Sequence, residues 1–160
     1  MKKKLEELQK LLSAIIEATK IADEISHNRE LLITDEYSRQ MMINYNRDTR
    51  ELCKNLPQKY FNKTSIGIIV SDFLTYYNEG GGPDVDEFWR RVQEAGLPFE
   101  RKDVLGNVLK RDRIRTRSEY DIVVDTAIPA SQTGRITEEQ CLRLLQLAEE
   151  YEQRASKRRR

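Results

Sequence analysis

The chain has 160 residues, of which 34% are charged and 38% hydrophobic, with a formal net charge of +1. Charge near zero excludes a protein that binds nucleic acid or acidic membranes through bulk electrostatics, and any such partner must be met by a local patch. Seven glycines and four prolines among runs of Glu, Lys, Arg, Leu and Gln disfavour a turn-rich β architecture and predict an all-α protein.

No glycine or proline occurs before Pro57. Leu5, Leu8, Leu12, Ile15, Thr19 and Ala22 step by three and four, which predicts a first helix with a heptad-like seam, a candidate for homodimerisation. The segment Leu31 to Glu36 reads as a break with Thr34 as N-cap. Tyr37, Met41, Tyr45, Leu52 and Leu56 are then expected to line a second helix that ends before Pro57, so that residues 1–56 form a helical hairpin.

Residues 57–79 read as a connector and a central helix. The run Ser65 to Val70 is β-branched enough for a strand, but Ile66, Ile69, Val70, Phe73 and Tyr77 have helical spacing, and helix is preferred. Gly80-Gly81-Gly82-Pro83 stops it and marks a candidate hinge.

A C-terminal unit of about four short helices is expected over 84–154. Asp84 with Glu87, Thr116 with Glu119 and Thr137 with Gln140 have the spacing of capping boxes, and Ile136 is placed to staple against Cys141. Val85, Phe88, Trp89 and Val92 share one face of a helix closed by Gly96. A short helix from about Glu100 to Lys110 buries Val104, Leu105, Val108 and Leu109, and Pro129 is expected to end the helix that begins after Thr116. Residues 155–160 read as a basic tail.

Motifs for chemistry are sparse. Cys53 and Cys141 stand far apart and His27 is the single histidine, too few for a Cys/His zinc site or a nucleophile with an imidazole base. Glu24 and His27 have the three-residue spacing of a metal-ligating helix, but one such pair is half a site. The triple glycine lacks the Lys-Ser/Thr of a phosphate loop. No enzyme activity, cofactor or metal is expected. No window is apolar enough to span a membrane, and a cytoplasmic location is the default.

Two surfaces remain. Tyr37, Met41, Met42 and Tyr45 are residue types that protein interfaces enrich, which points to a partner protein and to an adaptor, inhibitor or regulatory subunit. Residues 101–118 hold seven basic against two acidic side chains. Three helices with a basic turn resemble the plan of a helix-turn-helix domain, in which Lys102, Asn107 and Lys110 would face a groove while Arg111, Arg113, Arg115 and Arg117 hold phosphates. The competing expectation is that these arginines pair with acids of the following helices, Glu138, Glu139, Glu149 and Glu150 among them.

Overall fold

The computed structural model describes residues 2–159, which form seven α-helices, one 3-10 turn and no strand. The helices are α1 (Lys2–His27), α2 (Glu36–Lys54), α3 (Lys63–Glu79), α4 (Pro83–Glu94), α5 (Val104–Arg111), α6 (Arg117–Gln132) and α7 (Glu138–Arg158). Two units are compact by themselves: one comprises the chain up to Tyr77 with Gly82–Arg101, the other Asn78–Gly81 with the chain from Lys102 onward.

In the first unit α1 and α2 make the expected hairpin, with α4 also packed on α1. Ile15, Ala18, Ala22 and Ile25 of α1 meet Cys53, Phe73, Leu74, Tyr77, Val85, Phe88 and Val92 in one core. Phe88 carries much of it: its ring stacks on Tyr77 at 3.7 Å and meets Phe73 and Trp89 edge-on. Helix wins at residues 65–70 because the 3.6-residue stripe buries Ile66, packs Ile69 and Val70 against this core and puts Phe73 into it, and Asn62 caps the start by accepting from the Ser65 N–H at 2.8 Å.

The chain changes unit at the glycine run, between Gly81 and Gly82, and again between Arg101 and Lys102. Helix α4 belongs to the first unit, where Val85, Phe88 and Val92 complete its core, and the shorter helices α4 to α7 follow the long hairpin as expected. The start of α4 differs. Its N-cap is Gly82, with Pro83 at the first helical position, and Asp84 is buried inside the first turn rather than capping. Trp89 is half-buried, its indole N–H donating to the Tyr77 carbonyl at 2.7 Å. Gly96 ends α4 as expected, in the left-handed region at φ +67°, while Leu97 N–H reaches back to the Val92 carbonyl at 3.1 Å in a Schellman closure.

The second unit packs α5, α6 and α7 around Leu105, Val108, Ile114, Val123, Ala127, Leu144 and Leu147. Thr137 and Gln140 form a complete capping box, each side chain bonded to the other's backbone N–H. The Thr116 pair is half of one, because the Glu119 carboxylate reaches the N–H of Arg115 instead of Thr116. Helix α6 passes through Pro129: the proline has no N–H to give to Asp125, but the next turn closes with Thr133 N–H on the Pro129 carbonyl, so the helix ends at Gln132 rather than at Pro129, with Gly134 beyond it at φ +77°. Within this unit Arg135 donates to the carbonyls of Glu79 and Gly80, and a Cβ on Gly81 would stand 3.1 Å from Thr133 Oγ1, so part of the glycine run is packed chain rather than free linker. The expected basic tail is the last turn of α7 through Arg158, with Arg160 outside the described residues.

Candidate functional sites

Helix α2 turns its polar side inward. Arg39, Asn46 and Thr49 are buried with Cys53, while Tyr37, Met41, Tyr45 and Leu52, the stripe expected to line the hairpin, are exposed, Tyr37 at 76%. The reason is the end of α1, whose last carbonyls have no helical donor. Arg39 supplies one, its guanidinium donating to the Ser26 and Leu32 carbonyls at 2.7 and 2.5 Å. Asn46 donates to Ser26 Oγ, which itself donates to the Ala22 carbonyl, extending the network. The N-cap of α2 is Asp35 rather than Thr34, accepting from Ser38 N–H at 2.8 Å, a bond that holds the Asp35 carboxyl below its ordinary range.

With polar groups inside, the apolar side chains of α2 border a surface concavity of about 270 Å³, walled by Met41, Met42, Tyr45, Asn46, Phe73, Tyr76 and Tyr77. Three of the four candidate partner-binding residues are brought together there, and Tyr37 continues the same face one turn earlier. Tyr45 lies nearly parallel to Phe73, with centroids 6.3 Å apart. The Tyr76 hydroxyl is fixed by donating to Asp84 Oδ2 at 2.6 Å; burial and that carboxylate both raise its pKa, so it is a neutral wall at any physiological pH. Tyr76 and Tyr77 belong to the same run of Tyr and Met residues in the sequence, whereas the part of the buried Asp84 was missed, since it looked like a cap.

The heptad-like seam of α1 divides. Leu12 and Ile15 pack into the first core, leaving exposed Leu5 and half-buried Leu8 for any second chain. Glu24 and His27 do not converge: Glu24 pairs with Arg91 at 3.1 Å, and the His27 ring bonds the Asp23 carbonyl. Among the described residues no three His, Cys, Asp or Glu side chains stand close enough to hold a metal, and no helix is long and apolar enough to cross a membrane.

The seven basic-segment candidates separate as well. Arg111 pairs with Glu119 at 2.9 Å and Arg117 with Asp121 at 3.1 Å, so neither uses the α7 acids expected as partners. Burial alone would raise the Glu119 carboxyl, but Arg111 and the Arg115 N–H together bring it below its ordinary value. Asp112, the one non-glycine residue at positive φ among those described, holds Arg143 in a two-bond fork at 2.8 Å each. Lys102, Asn107 and Lys110 are exposed on and before α5.

Arg113 and Arg115 flank buried Ile114 and make no side-chain ion pair among the described residues. They line a groove of about 270 Å³ with Ile114, Tyr151, Arg154, Ala155, Arg158 and Arg159, to which Lys102, Asn107, Lys110 and Arg111 contribute nothing. Arg158 and Arg159 belong to a basic tail that the sequence offers for phosphate contacts or for simple solvation, whereas Tyr151 and Arg154 were missed as site residues; a spacing of three and four on a continued helix was the available signal.

In comparisons with known proteins, no family model matches the chain, and no curated protein or solved structure matches it.

Proposed function

We propose that this protein is an interaction module rather than an enzyme, an adaptor, inhibitor or regulatory subunit that takes a partner protein on the outward face of α2. The observation that carries the reading is the apolar concavity bordered by Met41, Met42, Tyr45 and Tyr76 on a protein whose mean hydropathy is −0.73. A hydrophilic chain that keeps Tyr37, Met41 and Tyr45 in water while burying Arg39 and Asn46 has its apolar face turned outward. Met and Tyr suit such a face, the one by adapting its shape and the other by adding rigid area with a polar tip. An amphipathic helix of the partner, seating one or two apolar side chains between α2 and α3, fits a concavity of this size.

The test places a photo-crosslinking amino acid at Tyr37 in the native cell. A discrete protein adduct is expected there and not from the exposed apolar position Val124 of α6. Met41→Glu with Tyr45→Glu should remove the adduct and weaken the purified partner by at least about tenfold, as central interface residues do, with an unchanged circular dichroism spectrum. Equal adducts from both positions, or an adduct indifferent to the double substitution, would refute the reading.

The nucleic-acid alternative in its helix-turn-helix form has less support. Two of its four phosphate-holding arginines, Arg111 and Arg117, are already paired with carboxylates, and α5 is only eight residues long.

A further inference from the structure

The groove beside Ile114 is lined by five arginines from two separate stretches of chain. Arg113 and Arg115 come from the segment between α5 and α6, and Arg154, Arg158 and Arg159 from the end of α7. Ile114 is 1% exposed and anchors the segment, and Arg154 donates to its carbonyl at 2.8 Å, so the two stretches are fastened to each other. No carboxylate lines the groove. Arg113, Arg115, Arg158 and Arg159 make no ion pair among the described residues, although the unit has acids to spare and uses them on Arg111, Arg117 and Arg143.

A structural role explains part of this. Cations near a helix C-terminus interact favourably with its dipole, which accounts for Arg158 and Arg159. It does not account for Arg113 and Arg115, which belong to no helix and line a groove with three further arginines and no carboxylate. Like charges brought together repel unless an anion lies among them, and arginine is the residue whose planar fork matches phosphate oxygens.

A second concavity, of about 470 Å³, shares Tyr151, Ala155 and Arg159 with the first and adds Arg117, Tyr120, Glu152 and Ser156. Its aromatic wall is pre-ordered: Tyr120 and Tyr151 stack at 5.2 Å, Arg117 lies over Tyr120 at 5.2 Å, and the Tyr120 hydroxyl donates to Glu152. A flat guanidinium on a stacked ring pair offers a surface for a nucleobase, with Glu152 and Ser156 as polar groups at its edge. A phosphate-tracking groove continuous with an aromatic-walled hollow is the combination by which proteins hold single strands.

We propose that this face of the second unit binds single-stranded nucleic acid, with phosphates along Arg113, Arg115, Arg158 and Arg159 and a base in the hollow walled by Tyr120, Tyr151 and Arg117. The site is independent of the α2 face, so either reading can fail without the other.

Fluorescence anisotropy with labelled oligouridine and oligothymidine tests it on the full chain. Four phosphate contacts on a single strand imply a log–log salt slope of about −2.8, a loss of about 50-fold in affinity from 50 to 200 mM salt. Arg113→Gln with Arg115→Gln should reduce the magnitude of the slope by about 1.4, and Arg158→Gln with Arg159→Gln, from the other stretch, should do the same. Lys102→Gln with Lys110→Gln should lie close to wild type, as should Met41→Glu with Tyr45→Glu. An abasic phosphodiester strand should bind about tenfold or more weakly than oligouridine, from the lost stacking. No binding at 50 mM salt, equal binding of the abasic strand or of inorganic polyphosphate, tighter binding of duplex DNA, or binding that survives both arginine pairs would each overturn the proposal.

Discussion

The two units solve the problem of a strongly charged chain in opposite ways. The first has an aromatic core centred on Phe73, Tyr77 and Phe88, buries a polar network of Arg39, Asn46 and Ser26, and leaves Tyr37, Met41 and Tyr45 in water. The second has an aliphatic core of Leu, Val, Ile and Ala with its two tyrosines at the rim, and sorts its surface charge into paired and unpaired arginines. In the first unit the helix that closes the hairpin must satisfy carbonyls, and its apolar residues are displaced outward. In the second, each helix has its own N-cap, so the helix ends need no buried guanidinium and the arginines stay at the surface.

The comparison breaks most visibly at the cores. Phe88→Ala removes a fully buried ring from between Tyr77, Phe73 and Trp89 and should cost about 3–5 kcal/mol. Leu144→Ala, also fully buried, should cost about 2–5 kcal/mol in the second unit. Hydrogen exchange resolved by helix should report the first loss in α1, α3 and α4 and the second in α5, α6 and α7. Chain-wide loss from either substitution would mean that the two cores are energetically one.

Next comes the network. Arg39→Met keeps the volume but leaves the Ser26 and Leu32 carbonyls without their guanidinium donors, and should cost about 2–4 kcal/mol. Lysine should not rescue it, because one ammonium cannot reproduce a planar fork to two carbonyls. A cost below about 0.5 kcal/mol by urea denaturation, followed through Trp89 fluorescence, would make Arg39 an ordinary surface residue.

How far each part was legible in the sequence follows from the same contrast. Helix ends were legible where a residue acts on its own neighbours, as at Gly96, Thr137 with Gln140, and the stop before Pro57. Tertiary choices were not. The α2 stripe of Tyr37, Met41 and Tyr45 has the periodicity of an inner face, and only the unsatisfied carbonyls at the end of α1 explain why Arg39 and Asn46 take that place. Asp84 has capping spacing, but Tyr76 claims its carboxylate. Arg113 and Arg115 stood out as a basic run and Arg158 as part of a basic tail, but only the fold sets Arg154 and Arg158 beside Arg113 and Arg115.

A smaller effect sharpens the point about local caps. Thr137→Ala removes the hydroxyl that accepts from Gln140 N–H at 3.0 Å and should cost about 1 kcal/mol, from a complete box. Thr116→Ala should cost less, because Glu119 remains tied to Arg111 and to the Arg115 N–H and still holds the start of α6. Thermal denaturation of the two variants side by side should rank them in that order, and the reverse order would assign the capping of α6 to Thr116 alone.

The smallest expected effect is electrostatic. On α4, Arg90 grips Glu87 with two bonds, at 2.6 and 3.0 Å, and Arg91 adds a third at 2.8 Å. Those bonds, Arg90's first, bring the Glu87 carboxyl down from an ordinary 4.5 to about 2. A carboxyl depressed in the folded chain contributes stability that is complete above about 4.5 and is lost as the pH falls towards 2. A carboxyl-carbon NMR titration should therefore find the Glu87 midpoint well below 4.5, and Arg90→Gln should move it upward, with Arg91 holding part of the depression. Because the cluster faces solvent, salt should weaken the effect and leave the aromatic core beneath it unchanged. A Glu87 midpoint near 4.5 in the wild-type protein would mean that the three bonds do not persist in solution and that the α4 cluster leaves its carboxylate as it would be in water.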